Sequence, residues 1–270
     1  MMKIKNLLLL AILALGISEV KAQDKEWGGF LGISVYSGDL SQSPIPIRGS
    51  RPAIGGLYRY NFNTHWAIKT GLNIGYIASY DRYSGEGTLR ESRNLSFHSP
   101  LVELSVVGEY NFMKYVAGSR KYKFTPYVFG GVAGFYFNPQ TFYLGTNYNL
   151  RDFVTEESKQ DGVYSPLQIA IPMGIGFKYS LGRKKLWNLG FEFGWRKTFT
   201  DYLDDVSDEL PSNYNTTLPQ EDRNLAYRGF PTEEGFWDNT WKRGNPDSQD
   251  SYYFFGITIT KTIRQFSCRF

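Results

Sequence analysis

The chain has 270 residues, with 30 Lys and Arg against 26 Asp and Glu, a formal charge of +4 and one cysteine, Cys268. A single cysteine excludes an internal disulfide, and so nearly neutral a balance gives no footing for a nucleic-acid partner. What the composition favours is aromatic residues, 17% of the chain, beside 28 glycines, while hydrophobic residues reach only 41%.

Residues 1–22 carry Lys3 and Lys5, an apolar run from Leu7 to Ile17, and Val20-Lys21-Ala22 before Gln23. A basic start, a short apolar middle and a small residue at the cut describe a secretory signal peptide, too short to span a membrane as a helix. Its removal takes three lysines and one glutamate with it and leaves residues 23–270 as a single domain of still smaller net charge.

Eight segments then alternate in the period of two that marks a strand with one apolar and one polar face. In the first, Trp27, Leu31, Ile33 and Val35 oppose Gly28, Gly32 and Ser34. The second, Arg51 to Phe62, sets Ile54, Tyr58, Tyr60 and Phe62 against Ala53, Arg59 and Asn61. The third sets Trp66, Ile68, Leu72, Ile74 and Tyr76 against Lys69, Gly71, Asn73 and Gly75. In the fourth, Val102, Leu104, Val106, Tyr110 and Phe112 oppose Glu103, Ser105, Glu109 and Asn111. The fifth, FTPYVFGGVAGFYF, has glycine and aromatic residues on both faces, and its inward side stays unassigned.

The sixth segment runs from Leu167 to Tyr179 with Gln168, Ala170, Gly174, Gly176 and Lys178 on its polar face. Pro172 lies inside it, and a bulge is expected there. The seventh, WNLGFEFGWR, has Trp187, Leu189, Phe191, Phe193 and Trp195 on one face and Glu192 and Arg196 among small and polar residues on the other. The eighth sets Tyr253, Phe255, Ile257 and Ile259 against Gly256, Thr258 and Thr260.

Such alternation suits a soluble sandwich or an outer-membrane barrel, and the connections separate the two. Roughly 11, 14, 26 and 50 residues follow the odd-numbered segments and roughly 2, 10 and 5 the even ones, against the short norm for hairpins. Long loops at one end and short turns at the other are the arrangement of an all-β, eight-stranded antiparallel transmembrane β-barrel with extracellular loops and periplasmic turns. Trp27, Trp66, Tyr110, Tyr179, Trp187, Trp195 and Tyr253 fall at the ends of the apolar faces, where interface girdles are expected. The apolar face therefore meets outer-membrane lipid.

An eight-stranded lumen is just wide enough for side chains to fill. Its expected charges are Arg59, Lys69, Glu103, Glu109, Lys178, Glu192 and Arg196, of mixed sign and so expected to pair in a plugged scaffold. No catalytic constellation, cofactor motif or metal-ligand spacing is found. His65 and His98 are the only histidines, and Ser99 beside His98 points to the opposite face. The acidic run Asp201, Asp204, Asp205, Asp208 and Glu209 matches no EF-hand spacing and reads as a solvated loop. Phe236, Trp237 and Trp241 further along that loop either cover the barrel mouth or dock a partner.

The stretches GGFLGISVYSGDL, FTPYVFGGVAGFYFNP, QIAIPMGIGFKYSLG, LGFEFGWRKTFTDYLDDVS and GNPDSQDSYYFFGITITKTI together resemble the PorG-type, DUF6089-like outer-membrane barrels linked to type IX protein secretion and gliding. The resemblance spans nearly all of residues 23–270, and FTDYLDDVS is its most specific part. It implies a non-catalytic protein that ties a periplasmic ring, a lipoprotein and its partner, to the outer membrane. No residue-level site comes with it. Contact with such a ring would use the turns, whose Lys114, Arg120, Lys121, Lys123, Arg183, Lys184 and Lys185 make a basic rim suited to an acidic partner or to phospholipid head groups. The alternative is a free-standing small barrel of the OmpX or OmpA kind, acting in adhesion or envelope integrity through its loops.

Overall fold

Ten strands form in the computed structural model, which describes residues 24–41, 43, 46–83, 93–117, 119, 121–160, 162–181, 186–214, 216–228, 243–246 and 248–263. The expected leader at 1–22 lies outside these residues, as do Phe236, Trp237, Trp241 and Cys268. The strands are β1 (Asp24–Ser37), β2 (Arg51–Asn61), β3 (Trp66–Tyr80), β4 (Ser96–Asn111), β5 (Phe124–Phe137), β6 (Gln140–Tyr143), β7 (Thr146–Asn149), β8 (Leu167–Ser180), β9 (Trp187–Thr198) and β10 (Ser251–Ile263). A short helix, α1 (Gln220–Ala226), lies between β9 and β10. No helix of the described residues is long and apolar enough to cross a membrane.

Eight of the strands close on themselves. The antiparallel order β3-β2-β1-β10-β9-β8-β5-β4 is joined end to end by β3 pairing with β4, which leaves no free edge in the wall. The described residues of loops 38–50, 81–95, 138–166 and 199–250 stand at one end, and those of turns 62–65, 112–123 and 181–186 at the other. Expected faces and observed faces agree along the strands whose faces could be assigned. Leu31, Ile54, Leu72, Leu104, Ile175 and Ile257 are exposed on the outside, while Arg59, Lys69, Glu103, Glu109, Lys178, Glu192 and Arg196 are buried inside. An apolar exterior around a polar, side-chain-filled interior is the outer-membrane barrel architecture.

The unassigned fifth segment resolves with Tyr127, Phe129, Ala133, Phe135 and Phe137 inward and Val128, Val132 and Tyr136 outward. Glycines on the neighbouring strand make this possible. A Cβ at Gly174 would stand 2.7 Å from Phe129 Cζ, and one at Gly176 would stand 2.6 Å from Tyr127 Cζ, so both rings lie across bare backbone of β8.

One expectation about strands is corrected, and two strands are added. Pro172 does not cause a bulge: Gly130 faces Met173 and Ala133 faces Ala170 in one unbroken register, with the β5–β8 pairing merely interrupted between them. A proline removes a donor without requiring an extra residue, and β9 still pairs Arg196 opposite it. The long third loop adds two strands beyond the eight expected segments, because β6 and β7 pair as a hairpin. β6 continues the register of β5 along β4, with His98 opposite Gln140.

The largest apolar core sits in the mouth at the loop end. Tyr36, Ile77, Phe97, Leu101, Phe135, Phe137, Leu203, Val206 and Tyr252 pack together there. Burying such side chains is worth about 1.5–3 kcal/mol each. The described loop residues Leu203 and Val206 are thus part of the folded body.

Candidate functional site

The lumen is built by strand register. Antiparallel pairing puts Glu26 of β1 opposite Arg59 of β2, and Arg59 opposite Lys69 of β3. Arg59 Nη1 donates to Glu26 Oε2 at 2.9 Å, and its Nε donates to Glu109 Oε2 at 2.8 Å. Lys69 Nζ reaches Glu192 Oε1 at 2.5 Å and Glu109 Oε1 at 3.6 Å. Lys178 donates to Glu109 and, at 3.1 Å, to Asn111. Tyr127 Oη closes the group on Glu192.

A second tier lies nearer the loops. Arg196 Nε donates to Glu103 Oε2 at 2.9 Å, and Glu103 also accepts from Tyr252 Oη at 2.9 Å and Asn73 Nδ2 at 3.0 Å. Between the tiers, Lys69, Asn73, Ser105, Glu192 and Arg196 border a cavity of about 20 Å³, room for about one water. All seven expected lumen charges therefore lie in one continuous interior. Sequence reasoning missed an eighth member, Glu26, which brings the named set to four cations and four anions and is wholly buried. Its signal was its phase: it shares the inward parity of Gly28, Gly32 and Ser34.

The turn end closes over a ring. Tyr115 N donates to Thr64 O at 3.1 Å and Asn111 N to His65 O at 2.7 Å, so the second turn folds under the barrel and buries Tyr115 beneath Lys178. Lys114, Lys121 and Lys123 are exposed on that turn, the latter two over the rings of Tyr122 and Tyr179. Of the expected basic rim, Arg120, Arg183, Lys184 and Lys185 lie outside the described residues.

At the loop end the acidic run is not a solvated loop. Asp204 and Asp205 are buried to 1% and 0% exposure, and residues 201–207 descend into the mouth. Tyr36 Oη is within hydrogen-bond reach of both Asp204 Oδ2 and Asp250 Oδ1, the latter at 3.0 Å. Leu40 N donates to Asp204 Oδ2 (3.2 Å), Val206 N to Asp204 Oδ1 (2.9 Å) and Leu203 N to Asp250 Oδ2 (2.9 Å). Asp205 takes bonds from Thr155, Lys159 and Tyr164 at 2.6, 2.9 and 2.8 Å, its backbone at φ 65°, a left-handed conformation that Asp tolerates.

Two arginines tie the loops together. Arg243 Nη1 donates to Glu156 Oε1 (2.7 Å) and its Nε to Ala226 O (2.9 Å). Arg93 grips Asp81 through Nε and Nη2, each at 2.8 Å, and its Nη1 donates to Arg243 O. Rings stack across the same region, Phe137 on Tyr164 and Tyr164 on Tyr202, with interplanar angles of 3° and 9°. Burial, with the mutual repulsion of the two carboxyls, holds the Asp204–Asp250 pair above the usual carboxylate range. Burial also raises Glu156 to about 7, against the pull of Arg243. Sequence reasoning missed this cap because its partners come from four separate loops. Among the described residues no group of three or more His, Cys, Asp or Glu is arranged to hold a metal ion.

Comparison with known proteins gives several solved structures to which the chain is similar at low identity. The N-terminal β-barrel domain of Pseudomonas aeruginosa OprF is 11% identical with a TM-score of 0.39, covering 90% of this chain and 100% of that one. Neisserial surface protein A is 6% identical at 0.42, covering 91% and 100%. Ail, the attachment invasion locus protein of Yersinia pestis, solved in complex with the heparin analogue sucrose octasulfate, is 8% identical at 0.40, covering 89% and 99%. No curated protein matches. The profile of a domain of unknown function, DUF6089, matches residues 5–218, and the chain belongs to that family.

Proposed function

We propose that this protein is a non-catalytic scaffold of the outer membrane, acting through its two ends. The observation that carries this reading is the filled interior: opposite charges are paired through both tiers, and the cavity between them has room for about one water. A lumen in that state offers neither an ion path nor a substrate pocket, so the working surfaces are the turns and the cap.

The partner follows from the resemblance to PorG-type barrels. In this reading the protein is a component of the type IX secretion machinery and anchors a periplasmic ring, a lipoprotein and its partner, through the turn end. The exposed Lys114, Lys121 and Lys123 on a turn braced by Tyr115 support it, because a basic rim on a fixed platform suits an acidic partner. A second reading, a free-standing surface barrel for adhesion or envelope integrity, is favoured by the β6–β7 hairpin, which exposes Phe142 at 65% and Leu144 at 83% at the loop end.

One experiment separates the two. The protein is tagged in the loop near Gln220, outer membranes are solubilised gently, and co-purifying proteins are identified. Recovery of the ring lipoprotein with its partner, lost when Lys114, Lys121 and Lys123 are changed to Glu, is the expected result. A clean barrel without ring proteins would favour the free-standing role.

A further inference from the structure

We propose that Tyr36, Asp204 and Asp250 form a one-proton latch that holds residues 201–207 in the barrel mouth, and that loss of the proton releases this plug. The proposal concerns the cap and stands apart from the choice of partner at the turn end.

The argument begins with counting hydrogens. A phenol has one, yet Tyr36 Oη lies against two carboxyl oxygens, Asp204 Oδ2 and Asp250 Oδ1. If both carboxyls were ionised, one contact would set a carboxylate oxygen against a phenol lone pair, in a site where all three side chains are buried to 1% exposure or less. One carboxyl must therefore supply the second hydrogen.

The backbone says which one. Asp204 accepts from Leu40 N and Val206 N as well as from Tyr36, three donors that suit an anion. Asp250 has one backbone donor, Leu203 N, and that bond falls on its Oδ2. Its Oδ1 is thus placed to carry the proton and donate to Tyr36 Oη, while Tyr36 donates to Asp204.

The surroundings keep the proton there. Asp39 from the first loop and Asp201 from the fourth add negative charge to the pair, and Arg93, engaged with Asp81, supplies the nearby positive charge. When the proton leaves to solvent base, two buried carboxylates face one phenol. The bonds from Leu40, Leu203 and Val206 that pin the plug then belong to an arrangement that repels itself.

The sign follows from linkage. A carboxyl raised in the closed state stabilises closure fully below its free value near 4 and loses that contribution as pH rises through the closed-state value. The cap is closed in acid and at neutrality and opens toward alkaline pH.

Amide hydrogen exchange of residues 38–41 and 201–207, corrected for intrinsic rates, reads the opening in detergent-solubilised full-length protein. In wild type the protection should fall at least about tenfold per pH unit between pH 6 and 8, one proton being worth a factor of ten per unit. Asp250→Asn is the diagnostic variant, because its amide donates permanently to Tyr36 while its oxygen still accepts from Leu203. Its pH slope should be smaller than that of wild type by one proton, which separates this proton from any taken up at Glu156 or Asp201. Tyr36→Phe should lower protection at pH 6 while the amides of β8 and β9 keep theirs, showing a folded barrel with a loosened plug. Equal slopes in wild type and Asp250→Asn, or unchanged protection in Tyr36→Phe, would overturn the latch.

Discussion

The lumen and the cap both bury carboxylates, and they compensate them differently. In the lumen Glu26, Glu103, Glu109 and Glu192 meet Arg59, Lys69, Lys178 and Arg196, all on strands whose register fixes who faces whom. In the cap Asp81, Glu156, Asp204, Asp205 and Asp250 meet Arg93, Lys159 and Arg243, all on loops. The surplus acids there are met by backbone N–H groups, Tyr36 and Tyr164, and by protons. A strand delivers a side chain every second residue to a set height, so opposite charges can be matched pairwise. A loop brings its backbone with it, so amides serve where cations do not reach.

The largest effect should come from breaking the matched set. Arg59→Ala leaves Glu26 and Glu109 without their shared guanidinium in a closed interior, and removing one member of a buried pair costs about 3–5 kcal/mol. The urea midpoint of the barrel in detergent should fall accordingly, with Arg59→Lys recovering part of the loss. A midpoint equal to wild type would mean that the pairs are incidental.

Arg243→Ala should cost somewhat less, about 3 kcal/mol, and only in the cap, because Glu156 loses its cation and Ala226 O a donor while no strand loses either. Proteolysis between residues 199 and 250 should accelerate while the folded barrel keeps its urea midpoint. Loss of the barrel itself would show that cap and wall fold as one unit.

A smaller effect tests the cap's reliance on protons. Glu156, raised to about 7, is protonated more readily folded than unfolded, so its contribution is complete below about 4.3 and lost as pH rises through 7. From pH 5.5 to 7 the cap should lose about 1.5 kcal/mol on this account, the slope of about 1.4 kcal/mol per unit halving as pH reaches 7. Glu156→Gln should flatten that part of the profile in a proteolysis assay. An unchanged profile would remove Glu156 from the explanation.

The same contrast explains what was legible. Inward residues such as Arg59, Glu109 and Lys178 could be read because a period of two fixes a face over many residues. Glu26 escaped because it stands near the start of β1, where few neighbours establish the phase. The fifth strand stayed ambiguous because rings and glycines occupy both its faces, and only the bare backbone of Gly174 and Gly176 decides where Phe129 and Tyr127 lie. The cap could not be read. Tyr36 and Asp250 are 214 positions apart, and nothing local in TDYLDDVS distinguishes an acidic run in water from one buried under four loops.

The smallest prediction concerns the exposed tip of the hairpin that borders the cap. The β6–β7 hairpin turns on two residues, Leu144 at φ 47° and Gly145 at φ 86°, between paired Tyr143 and Thr146. Two positive φ angles in a two-residue loop favour Asn-Gly, since Asn tolerates this conformation and Leu does not. Leu144→Asn should therefore steady the hairpin by about 0.5–1 kcal/mol, slowing exchange of its amides about two- to fivefold, with no change in lumen or cap. Slower exchange would mean that a local cost is carried to keep an 83% exposed leucine at the hairpin tip, and that this side chain has work outside the fold. If exchange is unchanged or faster, the turn is unstrained, and the exposed leucine needs no such explanation.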